Sequence, residues 1–62
     1  MKLTYYYDSD MDILRRYPED VQQGERWIKV VEQWIPDDQR QSDCRIEDVI
    51  DEVNAGKLLK GK

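Results

Sequence analysis

A single cysteine, Cys44, stands in a chain of 62 residues, so no internal disulfide can hold the fold together. A domain of about 60 residues buries only about 60% of the surface its unfolded chain exposes. The core must therefore come from a short set of apolar side chains, with four Tyr and two Trp but no Phe among them. Small exported domains usually carry several bridges, and one thiol points instead to a reducing compartment, giving a cytoplasmic expectation. Residues 1–7 lack the pattern of a signal peptide, and no run approaches the ~20 apolar residues of a membrane span.

The chain also contains no His. That removes the side chain most suited to proton transfer near neutral pH and the commonest metal ligand. One Cys without His cannot supply the ligand set of a zinc site, and Ser-His-Asp and Cys-His nucleophiles fall with it. Gly24, Gly56 and Gly61 are too dispersed for a phosphate-cradling loop. The expectation is a protein that is not an enzyme, with no cofactor and no metal.

Periodicity gives a strand followed by three helices. Leu3, Tyr5 and Tyr7 share one face by alternation, which predicts a short N-terminal strand. A first helix over about 9–16 opens on Asp8, Ser9 and Asp10 and stops at Tyr17-Pro18. A second, beginning at Glu19 or Gly24 and ending at Ile35, gathers Trp27, Ile28, Val30, Val31, Trp34 and Ile35 into an arc of about 160°. Pro36 ends it. A third over 43–55 carries the stripe Ile46, Val49, Ile50, Val53, with Gly56 as its stop. The fold class expected is α-rich α+β, with residues 1–56 as one domain and 57–62 as a basic tail. All fourteen acids but only seven of the ten bases lie in residues 1–56, which leaves that body at −7 and the tail at +3.

Four constellations carry candidate functions. Asp8, Asp10, Asp12 and Glu19 match the acidic positions of a calcium-binding loop, yet Ile13 replaces its turn glycine and Arg15 and Arg16 fall inside it. The structural alternative is that the three aspartates start one helix and Glu19 the next. On the third helix, Glu47, Asp48, Asp51 and Glu52 form two i, i+4 columns with about 6 Å between members, close to the roughly 6.8 Å advance of two phosphate steps along one DNA strand. Asp37, Asp38 and Asp43 extend this surface. Trp27 and Trp34 serve either as core or as partner anchors, and Tyr6 projects from the strand opposite Tyr5 and Tyr7. Cys44 is surrounded by acids that oppose its ionisation, which suits a small half-buried residue better than a nucleophile.

These readings converge on an acidic, non-enzymatic regulator or inhibitor that occupies a basic surface of a larger protein. A phage or mobile-element product that mimics nucleic acid is one concrete version. Direct nucleic-acid binding is not expected, because the body is negative and the bases are dispersed. The alternative is a structural homodimer or assembly subunit that uses the edge of the Tyr strand, through Tyr6, and the Trp27/Trp34 face.

Overall fold

The computed structural model describes residues 2–60. Its elements are strands β1 (Leu3–Asp8), β2 (Ile13–Pro18), β3 (Gln23–Ile28), β4 (Gln33–Arg40) and β5 (Val49–Ile50), followed by helix α1 (Glu52–Leu59). Two short 3₁₀ turns, Gln41–Asp43 and Ile46–Asp48, lie between β4 and β5. The strands form one antiparallel sheet in the order β4-β3-β2-β1-β5. Three consecutive hairpins build a meander, and the chain then crosses to add β5 on the far side of β1.

The N-terminal strand is where alternation places it. The three-helix expectation is overturned: 9–16, 24–35 and 43–55 are hairpin, hairpin, and a run of 3₁₀ turns with a short strand leading into α1. The molecule is a mainly β protein with one short helix, not an α-helical one. The cause is visible in the second helical stretch. Trp27 and Trp34 are direct cross-strand partners on β3 and β4. A separation of seven residues is about two helical turns, so a hairpin pair flanking a four-residue turn imitates the i, i+7 repeat of a helix. The β-branched and aromatic content of Trp27, Ile28, Val30, Val31, Trp34 and Ile35 favours the pleated alternative.

Each hairpin turn contains a non-glycine residue in the left-handed region: Asp12 (φ 57°), Asp20 (φ 64°) and Glu32 (φ 54°). Aspartate tolerates that conformation because its short side chain can bond locally. In the first turn Asp8 supports the bend, its carboxylate accepting from the Asp10 and Met11 amides at 3.0 and 3.3 Å. The aspartates read as helix caps and calcium ligands are turn formers.

The sheet is strongly curled. Tyr5 on β1 and Trp34 on β4 bring their ring centroids within 6.5 Å. With two strands between them, a flat sheet would hold them about 14 Å apart. The bend is set at Gly24, which lies at a register shift in the β3–β4 ladder. A Cβ there would collide with the Arg16 carbonyl and the Tyr17 ring. Tyr17 is fully buried, and the absent side chain makes room for it.

Two small cores result, one on each face. On one side Tyr17 meets Tyr6 edge-on at 5.6 Å. On the other, Leu14 on the sheet and Ala55 on α1 are buried, and α1 packs against β1. Asp51 caps this helix, accepting from the Asn54 amide at 2.8 Å, and the helix continues through Gly56, the position expected to stop it. Gly61 and Lys62 of the expected tail lie outside the described residues. No helix among those described is long and apolar enough to cross a membrane.

Gly24→Ala is expected to destabilise the fold by about 1–3 kcal/mol through overpacking, whereas Gly56→Ala, where the added Cβ meets nothing within 4 Å, is expected to be neutral or stabilising. Urea denaturation of the two variants checks the contrast.

Candidate interaction surface

The acids singled out in the sequence are divided by the fold into structural and surface groups. Asp37 is structural. It is buried beside Arg15, and the two form an ion pair through Arg15 Nε and Asp37 Oδ2. The other carboxylate oxygen accepts from the Gln39 amide at 3.1 Å. Although burial opposes its charge, the Gln39 amide and the Arg15 guanidinium together hold the Asp37 carboxyl below the usual carboxylate range. Arg26 shares this face by register, and its Nε is buried without a partner.

Asp48 is also engaged. It receives two hydrogen bonds from Arg45, at 3.1 and 3.2 Å, and this pairing raises the Arg45 pKa. By contrast Asp38, Asp43, Glu47, Asp51 and Glu52 are exposed. None of the five joins a salt bridge among the described residues. The two helical columns do not exist, because Glu47 and Asp48 sit in a 3₁₀ turn while Asp51 and Glu52 begin α1. What remains is an acidic ribbon along the crossover from β4 to α1.

The calcium reading fails on geometry. Asp8 and Asp12 lie at one end of the β1–β2 hairpin, whereas Glu19 follows the other end of β2 and bonds to Lys2 through its backbone. A six-residue strand spans about 17 Å, too far for these groups to share an ion. Asp12 is otherwise occupied: it accepts from Tyr7 Oη at 2.6 Å and pairs with Lys29. The Lys29 ammonium, with help from Tyr7, holds its carboxyl below the ordinary value, and the same hydrogen bond raises the Tyr7 pKa. No cluster of acids and Cys suited to a metal is found among the described residues.

Of the aromatic candidates, Trp27 and Trp34 meet at 5.3 Å in an edge arrangement, and the Arg16 guanidinium lies 4.0 Å over the Trp34 ring. Arg16 is held there by Glu25, 2.8 Å from its Nε. Tyr6 is not on an edge strand: β1 is paired on both sides, with β2 and with β5. Cys44 is half-buried between the two 3₁₀ turns, donating to Tyr17 Oη at 3.3 Å and accepting from Gln39 Nε2 at 3.4 Å. Tyr17 in turn donates to the Gln39 carbonyl at 2.9 Å, and burial pushes its pKa up. This network ties the crossover to the sheet.

Sequence reasoning missed two features. One is the Arg15–Asp37 pair, whose partners are far apart in the chain and gave no local signal. The other is a cleft of about 780 Å³ beside the N-terminal half of β1, lined in part by Leu3, Tyr5, Glu19, Ile50, Asp51 and Glu52.

Asp37→Ala is expected to cost about 3–5 kcal/mol because it strands a buried guanidinium, while a paired Arg15→Met/Asp37→Leu variant recovers much of that loss. A depressed carboxyl pKa contributes stability that is fully present above its unfolded value of about 3.9 and disappears as pH falls through the lower folded value. The melting temperature of the wild type is therefore expected to fall on acidification below about pH 4. That acid limb is expected to be shallower in the double variant, with Asp12 supplying the remainder. No family model, no curated protein and no solved structure matches the chain.

Proposed function

We propose that this protein is a non-enzymatic, acidic binding module that regulates or inhibits a larger protein by occupying a basic surface on it. The observation that carries the reading is the division of the acids. The fold uses Asp37, Asp48, Glu25 and Asp12 in internal ion pairs and leaves Asp43, Glu47, Asp51 and Glu52 exposed along one stretch of chain. A like-charged stretch of that kind raises the local concentration of a cationic partner and speeds association in a salt-dependent way. A nucleic-acid-binding cleft is one basic surface it would fit, and this remains part of the proposal. Asp37 and Asp48 are removed from the binding set, since both are internally committed.

A homodimer is the second reading. Its support is no longer a Tyr strand edge but the tip of the β3–β4 hairpin, where Val30 is 92% and Val31 55% exposed, close in sequence to the Trp27/Trp34 pair.

An Asp43→Lys/Glu47→Lys/Glu52→Lys variant is expected to keep the wild-type circular dichroism and lose the basic proteins that immobilised wild type retains from a cell extract at low salt. Identical retained sets would remove the regulator reading. Sedimentation equilibrium across a range of concentrations tests the dimer, for which Val30→Lys is expected to lower any association by at least tenfold.

A further inference from the structure

The sheet has an opening in its ladder beside β1. The Glu19 amide donates to the Lys2 carbonyl at 3.0 Å, so Lys2 turns its backbone polar groups toward β2. Successive residues of a strand point these groups to opposite sides, which turns those of Leu3 toward the side where β5 lies. β5 pairs with β1 only at Tyr5 and Tyr6, because the chain bends at Asp51 into α1. The Leu3 amide and carbonyl therefore face the side of the 780 Å³ cleft, where β5 supplies no ladder partner for them.

The cleft has chemical character as well as shape. Leu3, Tyr5 and Ile50 lie on one face by register and supply an apolar floor. Glu19, Asp51 and Glu52 stand around it against one base, Lys2. Asp51 is committed to the Asn54 amide, whereas Glu19 and Glu52 are exposed and their carboxylates join no salt bridge among the described residues. The other edge of the sheet differs. β4 carries Pro36 in its middle, and a proline breaks the row of donors that an added strand needs.

We propose that this cleft takes an extended basic peptide segment, which continues the line of β5 along β1. The inference rests on the acidic-module reading and specifies its partner: a short strand with one apolar residue flanked by Lys or Arg. The apolar residue lies opposite Leu3, exchanges two backbone hydrogen bonds with it, and sets its side chain on the floor. The flanking cations meet Glu19 and Glu52. Strand addition of this kind draws affinity from main-chain bonds and selectivity from alternate side chains.

The test is an NMR titration of the ¹⁵N-labelled full chain with the capped peptide acetyl-Lys-Lys-Val-Lys-Lys-amide. Expected are shift changes concentrated at Leu3, Thr4 and residues 50–52, with slower exchange of the Leu3 amide. Two changes are each expected to weaken binding at least tenfold: N-methylation of the valine, which removes its donor, and a Glu19→Lys/Glu52→Lys substitution at exposed positions. Equal binding of the N-methylated peptide, shifts centred elsewhere, or no binding at millimolar peptide overturns the proposal. If the peptide fails while the Asp43/Glu47/Glu52 variant still loses its basic partners, the cleft is wrong and the acidic module stands. If the peptide binds in the cleft and those partners are unaffected, the cleft stands and the broad acidic surface falls.

Discussion

The close approach of Tyr17 to Gly24 governs the shape of the molecule, because it lets an aromatic ring lie across the neighbouring strand where any side chain would push it away. From that contact follow the curl that brings Tyr5 to Trp34 and the position of the Tyr17 hydroxyl, from which Gln39 and Cys44 are held. The crossover between β4 and β5 is thus anchored from beneath. Among the described residues only Leu14, Tyr17 and Ala55 are buried apolar side chains, so the fold relies on half-buried aromatics and on polar groups that satisfy one another. Arg15 with Asp37 is the buried example and Arg16 between Glu25 and Trp34 the partly exposed one.

Those commitments separate charge that serves the fold from charge that serves the surface. A carboxylate enclosed beside a guanidinium cannot be offered to a partner without dismantling the core, so Asp37 is unsuited to recognition despite its place in an acidic run. Of the exposed acids on the crossover, Asp51 caps α1, whereas Asp43, Glu47 and Glu52 join no ion pair among the described residues, and their sign matches the rim of the cleft beside β1. Exposed acids therefore recur from the 3₁₀ turns to the start of α1, interrupted by Arg45 and the exposed Ile46 and Val49.

Part of this was legible in the sequence. The Tyr-rich strand follows from alternation at Leu3, Tyr5 and Tyr7, whereas the half-burial of Cys44 comes from its contacts with Tyr17 and Gln39, which the sequence does not show. The hairpins were hidden by a coincidence of spacing: Trp27 and Trp34 satisfy a helical repeat and a cross-strand pair equally well. A signal was present in the regular return of turn-forming residues, at Asp8–Asp12, at Pro18–Asp20 and near Glu32, which matches the even spacing of short strands in all-β proteins. The acidic columns on 43–55 were not recoverable, since Ile46, Val49, Ile50 and Val53 do form a helical stripe on paper. What defeats it is tertiary: Tyr5 and Tyr6 recruit Val49 and Ile50 into the sheet, while Ile46 and Val53 are left 85% and 69% exposed.

The pairing of Tyr5 with Ile50 also has a kinetic meaning. Every other strand pair joins neighbours along the chain and closes a short turn, but this one must bring together segments from opposite ends of the sequence. Closing a long loop carries a larger entropic penalty and slows folding. The meander can therefore assemble locally as three hairpins, leaving the outer side of β1 open until the segment around Val49 and Ile50 arrives. That step covers β1 only at Tyr5 and Tyr6, and it places the start of α1, which follows directly on β5.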